Sequence, residues 1–212
     1  MTAPRIGVCD YGVGNLRSVE RAITACGAVA AVSEDADALD ACDGLVLPGV
    51  GAFAPAAERL RDAGLASLAR SFAASGRPLL GVCLGHQLLF GDSDEGDGGH
   101  GLALLGGRVA RLEGAGVKVP HVGWNTLRIV RGSALLEGIP DGAYAYFVHS
   151  YAAAGCDAED VVAVTRHGSD FAAVVERGNV MGTQFHPEKS GPVGLRIYAN
   201  FAALCGVPAG AR

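Results

Sequence analysis

The sequence predicts an α/β protein with an open, mostly parallel sheet, helices on both faces of that sheet, and antiparallel strands added beside it. In the first half of the chain, short apolar runs alternate with segments of helical spacing, and the runs end in glycine-rich loops. From about residue 107, short alternating strands with glycine turns follow instead. Alternation of strands and helices favours parallel pairing, whereas short strands joined by tight turns favour antiparallel pairing.

Each predicted element has a local reason. An apolar run at 5–10 predicts the first strand, and Asn15 and Gly27 are start and stop signals for a helix to about Cys26. Proline, glycine and apolar periodicity delimit the others. These are strands near 28–32, 44–47 and 78–82, helices from about 55 to 76, strands near 144–151, 161–165, 171–176 and 180–185, and a closing helix that includes 196–201.

Composition indicates one globular domain spanning residues 1–212. Hydrophobic residues make up 50% of the chain, charged residues 18%, and glycine contributes 32 residues, as expected for a protein with many tight turns. The net charge of −5 and the absence of a basic block argue against general binding of nucleic acid or of a membrane surface.

The cysteine pattern and the start of the chain favour a soluble, cytoplasmic protein. The first residues resemble neither a secretory signal nor a membrane span. Six cysteines occur without Cys-x-x-Cys pairs, so neither disulfides nor a metal site is expected. They are Cys9, Cys26, Cys42, Cys83, Cys156 and Cys205.

The stretch at 78–90 has the pattern of a nucleophile elbow. A buried strand enters the string Gly-Val-Cys-Leu-Gly at 81–85, and an apolar helical segment follows. Cys83 takes the place that serine occupies in related elbows, and the flanking Gly81 and Gly85 permit a tight turn. A helix beginning near Leu84 would favour the thiolate with its positive end. Cys83 is therefore the candidate nucleophile.

The string His-Pro-Glu at 186–188 provides a candidate base and a group to orient it. Residues two apart in an extended segment share a face, so Glu188 can reach the ring nitrogen of His186 that does not face the sulfur. Pro187 restricts the backbone of this pair. Nucleophile, base and orienting carboxylate together predict a triad. His149, which lacks a carboxylate two residues later, is the alternative base.

The loop after the third strand is a candidate oxyanion hole. Ligands of open parallel sheets gather at the carboxyl ends of strands, where this loop and the elbow both lie. We expect the N–H of Val50 or Gly51 to join that of Leu84 in binding the charged oxygen of a tetrahedral intermediate. The alternative is a simple turn from strand to helix.

These motifs resemble those of the class I, or triad, glutamine amidotransferases, and in particular the glutaminase subunits of imidazole glycerol phosphate synthases. The resemblance extends from about residue 5 to about residue 204. Beside the elbow and Gln-Phe-His-Pro-Glu at 184–188, it rests on Asp-Tyr-Gly-Val-Gly-Asn-Leu-Arg-Ser-Val at 10–19, Leu-Pro-Gly-Val-Gly-Ala-Phe at 47–53, Val-Pro-His-Val-Gly-Trp-Asn at 119–125, Tyr-Phe-Val-His-Ser-Tyr at 146–151 and His-Pro-Glu-Lys-Ser at 186–190.

The resemblance implies glutamine hydrolysis through a thioester, without a cofactor, and the corresponding fold. Gln87 and the backbone around Ser150 and Tyr151 would hold the substrate glutamine. The loop at 49–51 is thought to flip in this family when the synthase partner is activated.

The resemblance also implies a heterodimer. The partner is a cyclase subunit with a (β/α)8 barrel, which uses the ammonia in histidine biosynthesis to form imidazole glycerol phosphate and aminoimidazole-carboxamide ribonucleotide. Candidate residues for the partner face are Asn15, Trp124 and Lys189.

Some features leave alternatives open. His86 stands where the family usually carries methionine, and could either act on Cys83 as a cation or merely fill the methionine's space. The acidic, glycine-rich segment at 91–100 is interpreted as a solvated loop. Rival functions are another triad amidotransferase, such as the glutaminase for pyridoxal phosphate synthesis, a non-catalytic subunit on the same fold, and a cysteine peptidase.

Overall fold

The structure is a computed structural model that describes residues 2–114 and 116–206. The rest of the predicted domain, residues 1, 115 and 207–212, lies outside the described residues. The helices are α1 Leu16–Ala25, α2 Ala36–Asp40, α3 Phe53–Asp62, α4 Leu65–Ser75, α5 Leu84–Leu88 and α6 Gly191–Cys205. The strands are β1 Arg5–Cys9, β2 Val29–Ser33, β3 Gly44–Leu47, β4 Leu79–Val82, β5 Asp92–Ser93, β6 Gly99–His100, β7 Arg108–Arg111, β8 His121–Thr126, β9 Arg128–Ile129, β10 Tyr144–His149, β11 Tyr151–Ala154, β12 Val161–His167, β13 Ser169–Arg177 and β14 Val180–Thr183.

The main sheet confirms the predicted architecture. Within the described residues its strand order is β2-β1-β3-β4-β14-β13-β12-β9. The first five strands of this order pair in parallel, and β13, β12 and β9 continue the sheet in antiparallel fashion. Strand β4 lies between β3 and β14. The loops that leave these three strands therefore meet at one edge of the sheet.

Helices pack on both faces of this sheet because alternate side chains of its strands point in opposite directions. Leu45, Leu47 and Leu79 pack with residues of α2, α3 and α4 in one core. Val46 and Leu80 pack with residues of α1 and α6 in the other. Nearly continuous apolar strands are the expected sequence of a sheet that is buried on both faces.

Two smaller sheets lie beside the main one. Strands β10 and β8 form an antiparallel ribbon, and β11, β7, β5 and β6 form a four-stranded sheet. In the ribbon, His121 is opposite His149 and Trp124 is opposite Tyr146. The antiparallel additions predicted after residue 107 are thus present, and they bring the strings at 119–125 and 146–151 together.

The start of α1 differs from the prediction in detail. Asn15 is the residue at its N-terminal boundary, but its side chain makes no capping hydrogen bond. Its backbone has φ −93° and ψ 70°, which is not the extended geometry typical of capping residues. The helix begins where predicted, and its buried residues Val19, Ala22 and Ile23 join the core.

The elbow depends on a close approach between backbones. A Cβ atom added to Gly85 would lie 1.7 Å from the carbonyl oxygen of Leu47, and one added to Gly81 would lie 2.6 Å from the carbonyl oxygen of Gly85. Real side chains do not tolerate such distances. The two glycines are therefore needed for α5 to start directly against the end of β3.

None of the helices in the described residues combines the length and the apolar character needed to cross a bilayer.

We expect Gly85→Ala to lower the free energy of unfolding by about 3 kcal/mol, because the added methyl group would collide with fixed backbone rather than with a movable side chain. Gly132→Ala is the matched control, since a Cβ atom there meets nothing within 4 Å and φ is not in the left-handed region. Urea unfolding of both variants measures the difference. Equal stability of the two variants would contradict the proposed tight contact.

Candidate active site

Cys83 has the strained backbone typical of an elbow nucleophile. Its φ of 53° and ψ of −105° lie outside the regions that non-glycine residues ordinarily adopt. Its N–H donates to the Thr183 carbonyl at 2.8 Å, which ties the turn to β14. The residue is 5% exposed and lines a cavity of about 390 Å³. The sharp turn thus directs the sulfur into an enclosed space beside the sheet edge.

His186 interacts with the Cys83 sulfur and forms a buried ion pair with Glu188. Nδ1 of His186 is 2.7 Å from Oε1 of Glu188, and the two side chains are 3% and 2% exposed. The predicted pairing is therefore present, but the extended geometry assumed for it is wrong. Only His186 is extended, and Pro187–Lys189 form a 3-10 turn. The turn begins at Pro187 because its fixed φ suits the first position of a helical turn.

Strand β10 holds this catalytic segment in place. The N–H of His186 donates to the Tyr146 carbonyl at 3.0 Å. The Ser190 hydroxyl donates to the His186 carbonyl at 2.7 Å and accepts the N–H of Tyr146 at 3.0 Å. The backbone position of His186 is thus fixed from two sides before any substrate binds.

The surroundings favour a protonated His186. Burial lowers its pKa, but the interactions with the Cys83 sulfur and the Glu188 carboxylate outweigh burial and raise the pKa to about 10. Its Nε2 makes no hydrogen bond of standard geometry. Catalytic hydrogen bonds are often long before substrate binds. The arrangement is an imidazolium that is paired with Glu188 and has one N–H free for chemistry.

The predicted oxyanion-hole residues border the cavity, but one donor is already in use. Val50, Gly51 and Leu84 all line the space beside Cys83. The N–H of Leu84 donates to the Gly49 carbonyl at 3.4 Å. In this conformation the loop presents a carbonyl oxygen where an oxyanion would need a donor.

The predicted glutamine contacts surround the same cavity. Gln87, Ser150 and Tyr151 line it together with Cys83. The Gln87 side-chain amide donates to the Tyr151 carbonyl at 2.8 Å and to the Gln184 side-chain oxygen at 3.2 Å. The Gln184 amide in turn lies 3.9 Å from the sulfur. The polar groups of α5 and of the first residue of β11 are therefore linked to the nucleophile.

His149 also lines the cavity, but both of its ring nitrogens are engaged. Nδ1 is 2.8 Å from the Tyr151 carbonyl and Nε2 is 3.0 Å from Nδ1 of His121. Burial lowers its pKa to about 3, with further lowering by the neighbouring histidines His121, His167 and His186. A neutral ring with no free nitrogen is a poor base, and the geometry favours His186.

Sequence reasoning missed Glu95. It belongs to the acidic loop that was expected to be solvated, yet it lines the cavity, and its carboxylate accepts the N–H of Phe53 at the start of α3 at 2.7 Å. Position in a glycine-rich loop gives no sign of this placement. Only the contact with α3 brings the carboxylate to the site.

His86 is fully buried, and neither of its ring nitrogens has a hydrogen-bond partner among the described residues. Its ring packs edge to face against Phe90, with centroids 5.4 Å apart. Burial lowers its pKa to about 3, and the nearby ring of His149 contributes to the lowering. The ring is neutral at ordinary pH, so the structure favours space filling over an electrostatic effect on Cys83.

Two of the three candidate partner residues lie together. Trp124 is 56% exposed and contacts Tyr146, with 5.9 Å between the two ring centroids. The side-chain nitrogen of Lys189 lies 5.9 Å from the centroid of the same Tyr146 ring. Lys189 also lines the cavity. Asn15 is exposed at the start of α1. It follows Gly14, which faces Gly49 of the loop after β3.

Within residues 2–114 and 116–206, no group of three or more potential metal-ligating side chains has the geometry to hold a metal ion.

The fold and the site together define a class of enzyme in which a cysteine at an elbow works with a histidine and a glutamate beside the edge of an α/β sheet. Comparison with known proteins agrees. A family model described as glutamine amidotransferase class-I matches residues 7–204. Solved structures with the same fold include one described as a glutamine amidotransferase, at a TM-score of 0.75 over 95% of this chain and 99% of that one, and PurLQS from Thermotoga maritima, at 0.76 over 94% and 97%. Both are 22% identical.

Closer relatives narrow the assignment. The "Imidazole glycerol phosphate synthase subunit HisH" of Methanosarcina barkeri is 46% identical over 95% of this chain and 99% of its own length. The protein of the same name from Moorella thermoacetica is 49% identical over 94% of each chain. The chain belongs to the class I glutamine amidotransferases, in the group of imidazole glycerol phosphate synthase subunits.

We expect Glu188→Gln to lower the pKa of His186 toward its ordinary value near 6.5, because the carboxylate charge that opposes burial is lost. The folded-state pKa of His186 is raised, so the stability it contributes is complete below pH 6.5 and disappears as the pH rises through about 10. The variant should lose the part of this contribution that comes from Glu188. NMR titration of the His186 ring measures the midpoint. Asp92→Asn is the control, because Asp92 also pairs with a histidine, the exposed His100, and not with His186. An unchanged His186 midpoint in Glu188→Gln would contradict the interpretation.

We expect His86→Met to raise the free energy of unfolding at pH 7 by about 1–3 kcal/mol, because two buried nitrogens without partners are replaced by apolar atoms. The folded-state pKa of His86 lies below its ordinary value, so the wild type loses stability as the pH falls from about 6.5 toward 3. The gap between the variant and the wild type should therefore widen on acidification. Urea unfolding at pH 7, 6 and 5 measures it, and a gap that narrows would show that His86 is charged in the folded state. The pH profile of glutamine hydrolysis should stay unchanged.

Proposed function

We propose that this chain hydrolyses glutamine to glutamate and ammonia and passes the ammonia to a cyclase partner in histidine biosynthesis. The observation that carries the proposal is a strained Cys83 in the wall of the cavity, whose sulfur interacts with a His186 that is paired with the buried Glu188. Membership of the amidotransferase family supports the choice of glutamine as substrate. Reduced cysteines such as Cys9, Cys42 and Cys83 suit a cytoplasmic enzyme.

Each triad member has a defined step. The Cys83 thiolate attacks the side-chain carbonyl carbon of glutamine, and a tetrahedral intermediate forms. His186 gives its Nε2 proton to the amide nitrogen, which leaves as ammonia, and the thioester remains. The now neutral His186 takes a proton from water, whose oxygen attacks the thioester carbon and releases glutamate. Glu188 keeps Nδ1 protonated and the ring oriented throughout.

The oxyanion must be bound by a rearranged loop. In the conformation described above, the N–H of Leu84 donates its hydrogen bond to the Gly49 carbonyl and is not available to an oxyanion. Rotation of the peptide between Gly49 and Val50 would remove that carbonyl and turn the Val50 N–H toward the substrate oxygen. Gly51 already has a φ of +110°, which a side-chain-bearing residue would resist. Two donors could then stabilise the intermediate.

The cavity contains groups suited to the charged end of glutamine. The two amide hydrogens of Gln87 are committed to Tyr151 and Gln184, so its oxygen is left as an acceptor for the substrate ammonium. The carboxylate of Glu95 supplies negative charge at the cavity wall. We infer that the substrate ammonium binds near both residues, with the backbone at Ser150 and Tyr151 completing the contact.

The outer face of the β8–β10 ribbon suits a partner protein. Val122 and Trp124 of β8 are 57% and 56% exposed on this face, and Tyr144 of β10 is 60% exposed. Tyr146 of β10 lies directly opposite Trp124. Exposed apolar rows of this kind mark interaction sites. Relatives are named as subunits of imidazole glycerol phosphate synthase. We therefore place the (β/α)8 cyclase subunit of a heterodimer on this face, with Asn15, Trp124 and Lys189 in contact.

We expect glutamine hydrolysis by the purified chain to be slow alone and to rise by about 100-fold or more with a cyclase subunit and its nucleotide ligand, because one freed oxyanion donor is worth about that factor. Cys83→Ala should abolish both activities. Steady-state glutamate release measures them.

Three results would contradict parts of this proposal. Activity that is unchanged by the cyclase would keep the glutaminase chemistry but reject the named partner. Absence of hydrolysis in both states would reject the glutaminase function. Retention of the complex when Asn15, Trp124 and Lys189 are all changed in size or charge would reject the proposed interface.

A further inference from the structure

A chain of hydrogen bonds runs from the cavity into the β8–β10 ribbon, and the triad does not use it. The Tyr151 carbonyl lies 2.8 Å from Nδ1 of His149. Nε2 of His149 lies 3.0 Å from Nδ1 of His121, and Nε2 of His121 lies 3.1 Å from the side-chain nitrogen of Asn125. The Asn125 amide also donates to the Arg166 carbonyl at 3.0 Å.

Only one arrangement of protons satisfies all of these contacts when the rings are neutral. A carbonyl can only accept, so Nδ1 of His149 must carry hydrogen. Nε2 of His149 then accepts, which places hydrogen on Nδ1 of His121. Nε2 of His121 in turn accepts from the Asn125 amide, whose oxygen accepts the N–H of Thr126 at 2.8 Å. Every donor therefore points toward the Tyr151 carbonyl.

The position of the two rings follows from the strand register. His121 and His149 are directly opposed in the antiparallel ribbon and both are buried. His121 stacks on Phe147 and on His167, with centroids 4.9 Å and 4.2 Å apart. Burial lowers the pKa of His121 to about 4 and that of His149 to about 3, which agrees with two neutral rings at pH 7.

We propose that His121 is a positioning residue for glutamine binding, which acts through His149 to fix the Tyr151 carbonyl and, through that carbonyl, the Gln87 side chain. The proposal rests on the glutaminase function proposed above. Bonds in such a chain polarise and strengthen one another. The Tyr151 carbonyl accepts hydrogen bonds from both His149 and Gln87. Loss of the chain would therefore loosen two groups assigned to substrate binding, the backbone at Tyr151 and the Gln87 side chain.

Three variants separate hydrogen bonding from packing. His121→Phe keeps a ring that can stack on Phe147 and His167 but removes both hydrogen bonds. His121→Asn places an amide N–H near the original Nδ1 and keeps the donor to His149. His167→Phe is the matched control, because His167 also stacks on His121 while its own hydrogen bond goes to the Lys118 carbonyl, outside the chain.

In the complex with the cyclase subunit, we expect His121→Phe to raise the KM for glutamine about tenfold, because the buried hydrogen bond to His149, which leads to the Tyr151 carbonyl, is lost. We expect kcat to change less than about threefold. His121→Asn should restore most of the loss, and His167→Phe should leave KM within about twofold of the wild type. An equal effect of His121→Phe and His167→Phe, or a fall in kcat alone, would overturn the positioning role.

A second measurement does not depend on activity. Imidazole nitrogen–proton correlation NMR of the wild-type chain at pH 7 should show hydrogen on Nδ1, and not on Nε2, for both His121 and His149. Hydrogen on Nε2 of either ring would overturn the inference, even if His121→Phe fails to fold. Normal NMR spectra with no glutamine hydrolysis would reject the proposed function while keeping the hydrogen-bond chain.

Discussion

The contact between Gly85 and the Leu47 carbonyl is the constraint on which the rest of the site depends. Helix α5 can start directly at the end of β4 only because no side chain separates it from β3. The chain reverses at Cys83, whose backbone is held in a conformation that costs about 1–3 kcal/mol. The apolar cores on both faces of the sheet offset that cost. Because of this strained turn, the sulfur lies between the loop after β3 and the catalytic segment after β14.

Charge is confined to one of several buried histidines around this turn. Burial lowers the pKa of His86, His121 and His149 to values between about 3 and 4, so these rings are neutral. His186 is buried as well, but Glu188 and Cys83 reverse the effect and raise its pKa to about 10. The Cys83 sulfur and a buried carboxylate at 2.7 Å from the ring make the difference. Opposite environments thus separate the catalytic cation from the rings that only pack or position.

The nucleophile and base are assembled, while the oxyanion site is closed. The Gly49 carbonyl accepts a hydrogen bond from the Leu84 N–H, which the proposed chemistry requires as an oxyanion donor. The blocking loop, the exposed apolar face of the β8–β10 ribbon and Lys189 all border the same cavity region. In the proposed function, a partner bound at that face would lie close enough to act on the loop. Such a design would restrict ammonia release to the assembled enzyme.

The sequence by itself determined the alternation of strands and helices along the chain, the elbow and the candidate residues of the triad, because these depend on local patterns. Glycines around Cys83 and the string at 186–188 are readable without knowledge of distant contacts. Tertiary structure alone decided which polar groups meet. It brought Glu95 to the cavity through α3, placed His121 opposite His149, folded Pro187–Lys189 into a turn and engaged the Leu84 N–H. Such contacts join residues far apart in the chain, or depend on the state of a loop, and no local periodicity or motif encodes them.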